Sequence, residues 1–214
     1  MVKSLKISKL AVAIQTNLLM EIQPLDQLTK IINDALNGTA KIRKSFQTFF
    51  ITTSILFLSM TKRKNFTQMA LFSNCCESRF RQNFQKKFDW VRYNLAFCRE
   101  KLRHRIVIDT SYIPNSGIEY LYLDAKQFTG FTHCYSRKRE SLDFAFNMSL
   151  SSINVARFFS RSCGMHLSVS NVKTLIHNAD MIQRFIRMSG KRPHRLLNTN
   201  DFKELLFYGV SDAA

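Results

Sequence analysis

The stretch FFITTSILFLSM at 49–60 constrains the fold of this chain more than any other. It is apolar for about a dozen residues, short of the roughly 20 needed to span a bilayer. Its flanks, KIRK before and TKRK after, are basic on both sides. A helix that is apolar around its whole circumference has no face to offer to water, so it belongs inside a protein. A buried helix is expected over about 40–60, and the rest of the chain must supply its partners.

Helical periodicity supplies them. Within PLDQLTKIINDALN (24–37), Leu25, Leu28, Ile31, Ile32, Ala35 and Leu36 recur at helical spacing, with Pro24 at the start and Gly38 at the stop. In NFTQMALFSNCCESRFRQNFQKKFDW (65–90) the pattern predicts a helix at 65–72, a turn through Ser73 and Asn74, and a helix from about 76 to 87. Phe80, Phe84 and Phe88 form its inward stripe, and Arg79, Asn83 and Lys86 share another face beside Arg81 and Lys87. Residues 90–105 continue helical, 141–159 and 170–188 read as long helices, and a last short one covers 200–207. Val172, Leu175, Ile176, Ala179, Ile182, Phe185 and Ile186 are the expected inner stripe of the 170–188 helix.

The length, 214 residues, allows one or two domains, and 45% hydrophobic residues with 19 Phe exclude a disordered chain. The N-terminal MVKSLKISKLAVAIQ makes a poor signal peptide. Cysteines 75, 76, 98, 134 and 163 lack zinc-site spacing and are expected as reduced thiols of a cytosolic protein.

Charge points to the partner. Lys and Arg number 32 against 15 acids, a formal +17. Such a surplus favours polyanions, because neutralising phosphates releases their counterions. Nucleic acid is the first expectation, ahead of an anionic membrane surface. Two short helices joined by a polar turn, the second rich in Arg, Gln and Asn, suit a helix-turn-helix module over 65–90. Arg79, Arg81 and Lys86 are its candidate DNA contacts. A basic stripe is also what an ordinary solvated helix face carries.

Catalytic residues are suggested by IVIDTSYIPNSGIEYLYLDAKQF (106–128). A short β-branched run ends in Asp109, and a helix-like segment carries Glu119, Tyr122 and Lys126. Carboxylates converging from different elements can hold Mg²⁺, and paired ions clamp the attacking and leaving oxygens of a phosphodiester.

These residues carry a resemblance. IVIDTSYIPNSG resembles the segment around the first catalytic Asp of DDE-type transposases of bacterial insertion sequences, and GIEYLYLDAKQFTGF is similar to the segment around their catalytic Glu. One branch of that family has a Y-x₂-R-x₃-E-x₆-K signature, and Glu119 and Lys126 fit its E-x₆-K. DFAFNMSLSSINVARFF and NVKTLIHNADMIQRFI look like the end of the family's catalytic domain, NFTQMALFSNCCESRFRQNFQKKFDW looks like its N-terminal helical region, and the likeness runs from about 40 onward. It implies a ribonuclease H-like core, Mg²⁺-dependent cutting and joining of element-end DNA, and catalytic, metal-binding roles for Asp109 and Glu119. Lys126 would contact DNA near the cleavage site. The resemblance also implies a bacterial cytoplasmic, nucleoid-associated protein without a membrane, able to self-associate or to join an intact transposase.

The chain departs from that pattern where the family carries its central strands. Only residues 110–118 separate Asp109 from Glu119, whereas a single parallel crossover takes a dozen or more. The second Asp has no candidate, since Asp124 and Asp143 belong to segments after the Glu. The signature's Tyr and Arg fall on Tyr112 and Asn115. An internal deletion near Gly117 is the simplest account. The expectation is a mostly α chain: a helical, DNA-binding region over 1–102, a first-strand segment over 103–117, and a C-terminal helical segment over 118–214. Its core is an incomplete ribonuclease H-like α/β remnant with impaired catalysis. The alternatives are a non-enzymatic DNA binder, a regulator of transposition, or a decayed product.

Overall fold

The computed structural model of the protein describes residues 24–39, 42–98, 123–190 and 199–211. Among them there are helices and turns and no strand, so the chain is mostly α. The segment 103–117, with its expected strand, lies outside the described residues.

Helix α1, Pro24–Asn37, buries Leu25, Leu28, Ile32, Ala35 and Leu36 and ends with Thr39 hydrogen-bonded back to the Leu36 carbonyl. Helix α2, Lys44–Ser59, is the apolar rod anticipated from 49–60. Phe49, Phe50, Leu56, Phe57 and Leu58 are all buried, as are Thr53 and Ser54. The two hydroxyls cost little inside, because each donates to a carbonyl one turn back, Phe49 and Phe50 respectively. Packed around α2 are α1, α6 (Arg139–Ser162) and α7 (Val169–Ser189). No helix among the described residues is long and apolar enough to cross a membrane.

Three short helices close one end: α3 (Phe66–Leu71), α4 (Glu77–Asn83) and α5 (Trp90–Leu95). Asn65 caps α3 through the Gln68 amide, and Asp89 caps α5 through the Arg92 amide. The α4 pattern runs on to 87 in the sequence, yet the helix stops at Asn83. Phe84 and Phe88 both have to reach the same aromatic cluster: Phe84 lies 4.6 Å from Phe144, and Phe88 lies 4.7 Å from Phe50. The chain turns at 84–86 to bring both in. Asn83, expected on the outer face, is buried and donates to the Arg79 carbonyl at 2.8 Å.

The C-terminal half joins the same core. Helix α6 turns a face of small residues inward, Ser149, Ser151, Ser152 and Ala156 among them, and this lets neighbouring backbones approach closely. Asn94 of α5 ties to it by donating to Ser151 Oγ and accepting from Asn154, both at 2.9 Å. Helix α7 is capped by Ser168 and ended by Gly190, whose φ of 65° is the left-handed conformation a helix stop requires. Its expected inner stripe is buried at Val172, Leu175, Ile176, Ala179 and Ile186, but Phe185 points outward, 70% exposed. Each helical residue turns about 100°, and that step from Ile186 takes Phe185 off the inner face. Helix α8, Asn200–Phe207, lies against α7, where Asn178 donates to the carbonyls of Leu206 and Tyr208. All five cysteines are free thiols.

Candidate nucleic-acid interface

The stretch 42–98 carries ten bases, Arg43, Lys44, Lys62, Arg63, Lys64, Arg79, Arg81, Lys86, Lys87 and Arg92, against two acids, Glu77 and Asp89. On α4, Arg79 and Arg81 flank the buried Phe80 on either side and both are exposed.

The structure sets the predicted contacts in different states. Arg79 is exposed, and its guanidinium makes no hydrogen bond or ion pair among the described residues. Arg81 is committed: its Nε lies 2.9 Å from Glu77 Oε1, its Nη2 reaches the same oxygen, and its guanidinium sits 5.4 Å over the Phe66 ring. Hydrogen bonds from Arg81 and, secondarily, from Thr67 hold the Glu77 carboxyl below the usual carboxylate range. Lys86 is exposed, with Nζ 2.6 Å from Asn83 Oδ1 and 5.0 Å over the Phe46 ring. With Arg43 and Lys87 it lines a groove of about 340 Å³ floored by Phe46 and Phe88.

Lys126 is exposed in a π-helical turn spanning Ala125–Thr129. That turn is locked by Thr129, whose hydroxyl lies 2.6 Å from Ser149 Oγ, and by the Asp124–Arg157 ion pair at 3.0 Å. Asp109 and Glu119 lie outside the described residues. Among the described residues no three His, Cys, Asp or Glu side chains gather where a metal ion could sit.

Two groupings were not legible in the sequence. In the first, Lys64 is only 3% exposed. Its Nζ donates to the Met60 carbonyl at 3.3 Å and the Phe128 carbonyl at 3.4 Å, and Lys173 of α7 hydrogen-bonds to it. Burial, reinforced by the Lys173 charge, lowers its pKa to about 7. A neutral amine has two N–H donors and one lone pair, and here all three are used. His133 accepts the Lys64 backbone N–H at Nδ1, 3.3 Å away. Desolvation and the charges of Lys64, Arg63 and Lys173 hold its imidazole below the usual histidine range. In the second, Arg184 and Arg187 of α7 come to the groove that Arg79 lines.

No family model matches the chain, and no curated protein or solved structure is similar to it.

Proposed function

We propose that this protein is a DNA-binding product of an insertion-sequence DDE transposase whose catalytic core has lost its middle. The observation that carries the reading is the excess of exposed bases over acids across 42–98, in which Arg43, Arg79, Lys86 and Lys87 have no carboxylate partner. Phosphate contact is what such a surface does best, since each neutralised phosphate releases counterions. The likeness of the Asp109 and Glu119 segments to transposase motifs supplies the origin, and element-end DNA the preferred partner. In that reading the region from 103 onward is a ribonuclease H-like remnant, and the protein works in the bacterial cytoplasm on the nucleoid.

Strand cleavage needs Mg²⁺ held by converging carboxylates. Asp109 and Glu119 are two where the family uses three, joined by a connection too short for the intervening strands. The protein therefore binds DNA without cutting it, and it can compete with an intact transposase for the same ends.

Fluorescence anisotropy with labelled element-end and unrelated duplexes, from 50 to 300 mM salt, tests this. The affinity should fall with a log–log slope of about −0.9 per phosphate contacted. The double substitution Arg79→Ala, Lys86→Ala should weaken both duplexes and flatten the slope. Absence of binding at the lowest salt would end the proposal. Nicking of the end duplex in Mg²⁺ or Mn²⁺ that Asp109→Ala abolishes would overturn the claim of lost catalysis.

A further inference from the structure

A groove of about 470 Å³ runs between α1, α2, the α3–α4 turn and α7, within the size range of small-ligand sites. Its apolar lining is Ile55 and the Phe72 ring with the edges of Leu25 and Leu56, interspersed with Thr29, Thr48 and Thr52. Its cationic lining is Arg79 of α4 and Arg184 and Arg187 of α7, residues about a hundred positions apart in the chain.

The three arginines differ in what they are free to do. Arg184 is fixed in place: Nε lies 3.0 Å from Asp180 Oδ2, Nη2 donates to the Phe72 carbonyl, and the guanidinium stands 5.8 Å over the Phe72 ring. Its charge is matched by Asp180, and it serves to hold the turn against α7. Arg187 makes one long bond, from Nε to the Gln183 carbonyl at 3.4 Å, and has no carboxylate partner. Arg79 has none either. Asp26 is the remaining acid of the lining, at the first turn of α1. Two arginines without a carboxylate partner in the lining of a half-apolar groove suit a ligand with an anionic head and a flat apolar body. Among such heads, phosphate matches guanidinium donors in geometry and charge.

We infer that this groove binds a phosphorylated nucleotide, Arg79 and Arg187 taking the phosphate while Leu25, Ile55 and Phe72 cover the sugar and base. The nucleotide is either free or the 5′-phosphorylated end of a DNA strand, since both present the same group. The site goes beyond the duplex-binding surface, with which it shares Arg79 alone. Arg187 belongs to the groove only.

The test is calorimetric titration of the full chain with deoxyadenosine monophosphate, deoxyadenosine, inorganic phosphate, and a short single strand with or without a 5′-phosphate. The phosphorylated probe that binds, nucleotide or strand, should bind at least about tenfold tighter than its unphosphorylated form or inorganic phosphate, and Arg187→Ala should weaken it by about tenfold or more. Arg187→Lys should restore part of the loss, and duplex binding by Arg187→Ala should stay near wild type. Binding of the phosphorylated strand but not the free nucleotide assigns the site to a strand end; the reverse assigns it to a free nucleotide. No preference for the phosphorylated over the unphosphorylated form in either the nucleotide or the strand pair, inorganic phosphate binding as tightly as the better phosphorylated probe, or an unchanged affinity in Arg187→Ala would each overturn the site. Arg187 is exposed on the surface of α7, so its replacement leaves the core intact, and far-UV circular dichroism verifies this.

Discussion

Replacing Lys64 with methionine should make the protein more stable at neutral pH and remove much of its pH dependence above it. In the folded state Lys64 titrates at about 7, against 10.5 for a solvated lysine. At pH 7 the unfolded chain holds this proton almost fully, while the folded chain holds about half. Folding therefore releases a proton at a cost of about 4 kcal/mol at pH 7, falling to about 2 kcal/mol at pH 9. The sign follows from a lowered base: the penalty is complete below pH 7 and is relieved as pH rises toward 10.5. Wild-type stability should thus climb by about 2 kcal/mol between pH 7 and 9 from this group. The window stops at pH 9 because Cys163, whose thiol burial pushes up to about 12, then acts in the opposite direction as the unfolded thiol ionises. The methionine side chain would avoid the penalty but lose the hydrogen bonds to the Met60 and Phe128 carbonyls, together worth about 2 kcal/mol. Lys64→Met should be about 2 kcal/mol more stable than wild type at pH 7 and about equal at pH 9. Urea denaturation followed by circular dichroism at pH 7, 8 and 9 measures both lines. Parallel lines for the two proteins would refute the reasoning, because they would mean Lys64 stays protonated in the fold.

Three further outcomes are expected. Arg79→Ala should weaken duplex binding more than Arg81→Ala, because Glu77 already occupies Arg81; anisotropy at 50 mM salt compares them, and equal effects would remove the distinction. Gly130→Ala should destabilise by about 1–3 kcal/mol in the same urea assay: Gly130 has a φ of 70°, and a Cβ there would stand 2.5 Å from His133 Nδ1 and 3.0 Å from Lys64 Cδ. Tyr93 is fully buried and its hydroxyl, beside that of Ser54, makes no well-formed hydrogen bond among the described residues, so Tyr93→Phe should stabilise by about 1 kcal/mol. A loss of stability there would reveal a partner for the hydroxyl.

Local signals in the sequence located the long helices well. Pro24 and Gly38 bracket α1, the expected 200–207 helix is α8, and the unbroken apolar run of α2 could only be internal. Local signals failed where distant packing decides. The α4 pattern overran its end because Phe84 and Phe88 answer to Phe144 and Phe50 rather than to helical period. Residues 90–105 read as one helix, whereas α5 ends at Leu95. Nothing in TKRKN says that its third base goes inside while its neighbours stay out. Likewise the presence of Arg79 and Arg187 in one groove depends on how α7 packs against α2, which no local motif encodes. Of the candidate site, Arg79, Arg81, Lys86 and Lys126 can be placed in space, and Asp109 and Glu119 fall outside the described residues.

The lone tryptophan gives the aromatic cluster an optical use. Trp90 stands 4.8 Å from Phe88, 5.7 Å from Phe50 on α2 and 5.0 Å from Phe144 on α6. Its emission colour therefore reports the contact between the portions of chain on either side of 99–122. A red shift that precedes the loss of ellipticity would reveal the two portions parting while still helical; coincident curves would mean that they melt as one body.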